Sequence, residues 1–268
     1  MRAAGGEPDG RSWIEPDVAC DLLFGGSPDR ARIALEGLLR GTDVVVQGEA
    51  GRRKALLAAD MDSTIITVEC IDELADYAGV KAEVAEITER AMRGEIAFGA
   101  ALRERVALLG GLDEAVLDRC YAERVRFTLG AETLVRTMKR DGAYCLLVSG
   151  GFTAFADRVA VALGFDRAIS NRLGVIDARL TGLVDRPIVG AAEKRTALID
   201  TAAIRDLDLA DTLAIGDGAN DIPMLEAAGL GVAFRAKPAV AAVAGARIEH
   251  SDLTALLYAQ GYNRSAWA

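Results

Sequence analysis

Six short apolar runs recur from residue 54 onward, KALLAAD, AYCLLVS, RAIS, DTLAIGD, LGVAF and ARIEH, with helical patterns filling most of the spaces between them. Most of these runs lack the apolar–polar alternation of a strand with one wet face, so both faces must be covered. Strands of that kind separated by helices predict an α/β fold, a parallel sheet with helices on each face. One interval breaks the rhythm. About eighty residues separate KALLAAD from AYCLLVS, where a crossover needs a single helix, and they carry VECIDELADYAG, VKAEVAEITERAMRG, FGAALRERVALLGG and LDEAVLDRCYAERV without a strand pattern. The surplus predicts a helical subdomain, 68–129, inserted between core segments 52–67 and 130–268. The stretch SNRLGVIDARLTGLVD, 170–185, has short alternating runs and predicts a β-hairpin excursion.

Ahead of the core, PDRARIALEGLLRG has a helical pattern with apolar Ile33, Ala34, Leu35, Leu38 and Leu39, and Val44 to Val46 form a β-branched run. These predict a small strand–helix–strand (βαβ-like) α+β appendage over 1–51, with the charged, glycine-containing QGEAGRRK as linker. With 268 residues and 51% hydrophobic content, the chain can bury a sizeable core. Its net charge of −9, from 31 basic and 40 acidic residues, gives no overall attraction to nucleic acid or to an anionic membrane. No apolar run is long enough to span a bilayer, and MRAAGGEPDG lacks the apolar core of a secretory signal, so a cytoplasmic location is expected. Cys20, Cys70, Cys120 and Cys145 are widely separated and form no CxxC pair, which predicts reduced, structural thiols. The single histidine, His250, lies in polar RIEHSD and is expected at the surface. Acid–base chemistry, if present, falls to carboxylates.

DMDSTII, residues 60 to 66, sets two acids directly after the first strand. Residues i and i+2 of a strand share a side, so Asp60 and Asp62 repel unless a cation or hydrogen-bond donors accompany them. An isolated D-x-D reads more readily as a solvated turn. The other strand ends change the balance, because ligands of open parallel sheets bind beyond the carboxyl ends of the strands. There the second strand ends in Ser149 to Gly151, and a later one in GDGAND, Gly216 to Asp221. Asp60, Asp217 and Asp221 converging with Asp62 would need a hard divalent cation, and all-oxygen ligation suits Mg²⁺. VSGG before a helical pattern offers a hydroxyl and backbone N–H groups to an anion, and Lys194 could supply the positive charge. Together these describe a phosphoryl site. No G-x-x-x-x-G-K-[ST] is present, and GDGAND places Asp221 where a dinucleotide fingerprint has glycine.

DMDSTII, VSGGF, Lys194 and IGDGAND, in that order, resemble the four motifs of the haloacid dehalogenase (HAD) superfamily of phosphatases. DMDST joined to SGGF and GDGAND is similar to its phosphoserine-hydrolysing branch. The match covers roughly residues 52 to 255, and four motifs in order are far more specific than one. The resemblance implies a HAD-like, Rossmann-like core with a helical cap. It makes Asp60 the nucleophile that forms an aspartyl-phosphate and Asp62 the acid that protonates the seryl oxygen and later activates water. It implies Mg²⁺ held by Asp60, Asp217 and the backbone carbonyl of Asp62, with Asp221 supporting a metal-bound water. Ser149, the Gly150 amide and Lys194 would bind the phosphoryl group, and Asn220 would orient substrate or Lys194. From the cap, Glu69 and Arg105 would take the substrate ammonium and carboxylate, and Met92 and Phe98 would close the pocket. Taken alone, Glu69 and Arg105 are ordinary solvated helix charges.

The implied activity is Mg²⁺-dependent hydrolysis of O-phospho-L-serine, the last step of serine synthesis, by a cytoplasmic monomer or homodimer with no nucleic-acid or membrane partner. The rival substrates are other small phosphomonoesters, phosphothreonine or phosphohomoserine. The rival of another class is a non-catalytic phospho-ligand sensor, which would be expected to have lost an acid that this chain keeps. Two departures from the family pattern stand out: Gly190 replaces the aspartate frequent ahead of the lysine, and the segment 1–51 is much shorter than the regulatory region of many relatives, so the resemblance implies a reduced version of it.

Overall fold

The computed structural model describes residues 7–93 and 95–268. The reading of the first residues as lacking an apolar leader falls largely on 1–6, outside the described residues. The N-terminal segment is a hairpin followed by a helix, in place of the expected strand–helix–strand. Strands β1 (Glu7–Glu15) and β2 (Ala19–Gly25) pair antiparallel, and α1 (Pro28–Leu35) follows. Pro28 opens the helix behind the N-cap Ser27, whose hydroxyl accepts from Arg30 N at 3.5 Å. The expected apolar stripe is not its buried face: Ala31 is buried, whereas Ile33, Leu38 and Leu39 are exposed. Arg32 and Glu36 decide the orientation instead, bonding Ala244 O and pairing with Arg247.

Val44 to Val46 form no strand. Side chains pin this segment where a ladder was expected. Asp43 accepts from the backbone N–H groups of Glu249, His250 and Ser251, and Gln47 donates to Ala259 O. Burial by itself pushes the Asp43 carboxyl up, but the three backbone donors outweigh it and hold it below its ordinary 3.8. A lowered folded-state value stabilises the protein above 3.8, and that contribution is lost as pH falls through the folded value. Asp43→Asn is therefore expected to cost on the order of 1 to 2 kcal/mol at neutral pH, discounted for its partial exposure. In urea melts the gap to wild type should close below pH 3.8; a gap that stays constant with pH contradicts this anchor.

The chain then enters the core at β3 (Leu56–Ala59) and leaves it for α2 (Cys70–Ala78), α3 (Lys81–Met92), α4 (Phe98–Ala107) and α5 (Ala115–Arg124). It returns through α6 (Ala131–Arg140), β4 (Tyr144–Phe152), α7 (Thr153–Leu163), β5 (Arg167–Asn171), and the hairpin β6 (Leu173–Ile176) and β7 (Arg179–Val184). The last part is α8 (Ala191–Ile204), β8 (Thr212–Gly216), α9 (Ile222–Ala227), β9 (Leu230–Phe234), α10 (Pro238–Val243), β10 (Ala246–Ile248) and α11 (Ala255–Ala259). All six strands read from the sequence lie in one sheet of order β10-β9-β8-β3-β4-β5, with every neighbouring pair parallel. Successive side chains point to opposite faces. Leu57, Ala59, Leu147 and Ile215 enter one apolar cluster, and Leu56, Ala58, Leu146 and Ala214 the other. That is why these strands carry no polar alternation.

The chain runs from β3 to β4 on one side and later to β8 on the other, so the crevice at the carboxyl ends of these three strands is the topological switch point. The two linkers of the helical insertion meet there. Ile66 bridges Phe127, Thr67 N donates to Arg126 O at 3.0 Å, and Thr128 N to Ile65 O at 2.9 Å. At its far end the insertion is tied to the hairpin: Gly111 N donates to Leu180 O, Leu180 N to Leu112 O, and Glu114 N to Ala178 O, at 2.7 to 2.9 Å. Gly182, at φ +74°, lets the backbones approach, since a Cβ there would lie 3.1 Å from Ala107 O. Among the described residues no helix is long and apolar enough to cross a membrane.

Candidate active site

Asp60 directly follows β3, with extended backbone and its N–H donating to Ile215 O at 2.9 Å. Asp217 directly follows β8, and Asp221 closes the next turn, where its Oδ2 accepts from Gly218 N at 3.0 Å. Gly216 leaves room for that turn, because a Cβ there would fall 2.3 Å from Asp221 Cγ. Lys194 lies in the first turn of α8, fully buried, and spans two of the acids: Nζ is 2.6 Å from Asp60 Oδ1 and 2.7 Å from Asp221 Oδ1. Asp60, Asp217 and Asp221 each offer a carboxylate oxygen within 4.8 Å of the others. Thr64 Oγ1 donates to Asp217 Oδ1 at 3.2 Å.

Three acids and one ammonium in a buried crevice leave an excess of negative charge. Burial pushes the Asp60 carboxyl well above its ordinary range, Asp221 and Asp217 add to the rise, and Lys194 opposes it. Asp217 is raised to about 6, by burial first and then by Asp221 and Glu69. Burial alone would discharge Lys194, yet Asp221 and Asp60 outweigh it and raise its ammonium above the ordinary lysine value. The cluster therefore favours an added cation. Its donors are all oxygens, with charge and spacing that fit Mg²⁺.

Asp62 has backbone and side-chain neighbours of its own. Its Oδ1 accepts from Cys70 N, the first residue of α2, at 3.2 Å. Burial and the neighbouring Glu69 raise its carboxyl to about 7, against the lowering effect of the Cys70 bond. Gly151 is required beside it: a Cβ would come 2.5 Å from Asp62 Oδ2. Between the acids the chain turns through Ser63 at φ 55°, whose hydroxyl donates to Glu69 Oε1 at 2.7 Å. Ser149 is fully buried at the β4 end, and its Oγ accepts from Gly151 N at 2.9 Å.

Of the other predicted residues, Phe98 reaches the β4 turn and the start of α8. Its ring lies against Gly150 and Gly190, with Cζ 3.1 Å from where a Gly150 Cβ would stand and Cδ1 3.2 Å from a Gly190 Cβ. Asn220 Nδ2 is 3.8 Å from that same Gly150 position. A cleft of about 680 Å³ opens beside Phe98, lined also by Arg103, Arg186, Ile188 and Glu193. Arg105 is half-buried on α4, and its guanidinium donates to Ala101 O and Thr88 Oγ1. Glu69 is exposed at the N-cap of α2, and Met92 is 64% exposed at the end of α3. Gly190 does not displace Lys194: α8 still begins at Ala191, because Glu193 reaches back to accept from Gly190 N at 3.0 Å.

Two residues of this region escaped the sequence reading. Thr64 lies inside the DMDST motif, so its place was visible while its bond to Asp217 was not. Asn171, 1% exposed at the end of β5, donates to Gly150 O and Val189 O and accepts from Val189 N at 2.7 Å. It joins the β4 turn to the approach to α8, and no local pattern announces a residue whose partners are twenty positions away.

The family model for haloacid dehalogenase-like hydrolases matches residues 57–226. A phosphoserine phosphatase of Streptomyces coelicolor is 47% identical over 254 residues, covering 93% of this chain, which spans 62% of that relative's length. A phosphoserine phosphatase of Albidiferax ferrireducens is 51% identical over 207 residues, 75% of this chain and 87% of the relative. Among solved structures, a phospho-aspartyl intermediate analogue of phosphoserine phosphatase superimposes with a TM-score of 0.72 at 41% identity, over 77% of this chain and 98% of that one.

Proposed function

The chain belongs to the haloacid dehalogenase-like hydrolases, and from that membership we propose that it hydrolyses O-phospho-L-serine to L-serine and phosphate through an aspartyl-phosphate on Asp60. The observation that carries this reading is Lys194 held between Asp60 and Asp221, with Asp217 alongside. Asp60 attacks phosphorus while the bond to the seryl oxygen breaks, and Asp62 gives that oxygen its proton. Water then attacks the phospho-aspartate, Asp62 takes the water's proton, and phosphate leaves. The two acids can divide these roles because their partners differ: Lys194 bonds Asp60 and favours its carboxylate against burial and the neighbouring acids, and Asp62, raised to about 7, can carry a proton near neutrality.

Ser149, the Gly150 amide and Lys194 hold the phosphoryl oxygens, and Asn220 orients substrate beside them. Asp60, Asp217 and the Asp62 carbonyl, with Asp221 in support, would hold Mg²⁺, which when bound would neutralise charge building up on the phosphoryl oxygens. Glu69 and Arg105 take the ammonium and carboxylate of the serine moiety, and Met92 and Phe98 exclude water when the α2–α5 unit closes. The reaction is the last step of serine synthesis, carried out in the cytoplasm by a monomer or a homodimer, with a small phosphomonoester as partner and no nucleic acid or membrane involved.

Phosphate release should be fastest, by kcat/KM, from phosphoserine, with phosphothreonine behind by about tenfold to two-hundredfold, the range one methyl produces in a pocket. EDTA should stop release and Mg²⁺ should restore it. If an aryl phosphate or phosphothreonine is preferred over phosphoserine, the substrate assignment is wrong.

A further inference from the structure

Arg105 has a long side chain with four torsions to fix, and a fork-shaped carboxylate receptor works only when its plane is held. Two bonds supply that constraint. Arg105 Nε donates to Ala101 O at 3.3 Å, one turn back on α4, and one terminal nitrogen donates to Thr88 Oγ1 at 3.4 Å, on α3. The Thr88 hydroxyl spends its own proton on Val84 O at 3.0 Å, which leaves the oxygen's lone pairs to face the guanidinium. A β-branched residue in a helix has few rotamers, so the acceptor is fixed as well. Both partners are neutral. Burial lowers the Arg105 pKa, and the nearby acids Asp72, Glu69 and Asp62 act against that, so the guanidinium keeps its charge without its described bonds being taken by a carboxylate.

From this geometry we infer that Thr88 is a positioning residue for amino-acid recognition: it orients the Arg105 guanidinium toward the carboxylate of the substrate and touches no reacting atom. The inference rests on the role of Arg105 given above. It divides the helical unit's work between two helices, since α4 carries the charge and α3 aims it. The packing of α3 on α4 thereby becomes part of substrate selection.

The test compares wild type with Thr88→Val, Thr88→Ser and Arg105→Ala in the full chain, on phosphoserine and on an aryl phosphate that has no amino-acid moiety. Thr88→Val keeps shape and removes the acceptor. It should raise KM for phosphoserine about three- to tenfold, the effect of one hydrogen bond, with kcat and aryl-phosphate turnover unchanged. Thr88→Ser, which keeps the hydroxyl, should return KM to within about twofold of wild type. Equal losses on both substrates, or none on either, from Thr88→Val while Arg105→Ala remains selective would overturn the role of Thr88 alone. An Arg105→Ala variant that harms both substrates equally would remove the carboxylate assignment and this inference together.

Discussion

Asp60→Asn should lose turnover of phosphoserine by about ten-thousandfold or more, the scale on which removal of a covalent nucleophile is felt. Wild-type enzyme quenched in acid during turnover with labelled phosphoserine should retain label on the chain, and the variant should retain none. Stability should move the other way. Asp60 sits buried with its carboxyl pushed up by desolvation and by Asp221 and Asp217, so a neutral isostere relieves repulsion. In EDTA the variant's melting temperature is expected at or above that of wild type, and Mg²⁺-dependent binding of phosphate analogues should survive. Turnover within about tenfold of wild type would remove Asp60 from the chemistry and reopen the case for a different nucleophile.

Lys194→Met removes the ammonium that spans Asp60 and Asp221. It should reduce kcat by about a thousandfold, as loss of a preorganised charge at a developing anion does. Here the structural loss should also be large. Breaking a fully buried ion pair from one side costs about 3 to 5 kcal/mol, because the buried acids left behind lose the cation that offsets their desolvation. For a chain of this length that is a fall of about 6 to 15 °C in melting temperature in EDTA. Mg²⁺ should recover more of the melting temperature in the variant than it adds to wild type, since the stranded carboxylates then have a cation to hold. A variant that melts within about 2 °C of wild type in EDTA contradicts the buried pair.

Much of this arrangement could be read before any coordinates. The six strands were legible because a sheet covered on both faces admits few polar residues inside its strands, and acids or glycines appear where β3, β4 and β8 stop. The helices α2 to α5 between β3 and β4 were legible from the length and period of that interval, and the hairpin at β6 and β7 from its short alternating runs. The appendage was misread for two physical reasons. A β-branched run at Val44 to Val46 carries strand propensity, yet Asp43 and Gln47 tie that segment to the C-terminal part of the chain by side-chain bonds. The apolar stripe of α1 predicted a buried face, yet the ion pair and backbone bond of Glu36 and Arg32 turn Ile33 outward.

Lys194 marks the boundary between the two kinds of knowledge. Its neighbours Glu193 and Arg195 are exposed, so nothing in EKR separates a lysine that is fully buried from one in solvent. Order along the chain determined which functional groups exist and which strand ends carry them, because period and turn chemistry are local properties. Distance was decided by the fold alone: that Lys194 touches two acids, that Asp217 offers an oxygen within 4.8 Å of both, and that Asn171 bonds Gly150 and Thr88 accepts from Arg105. Those facts depend on how segments as far apart as Asp60 and Asp221 are packed together, and no local stretch encodes them.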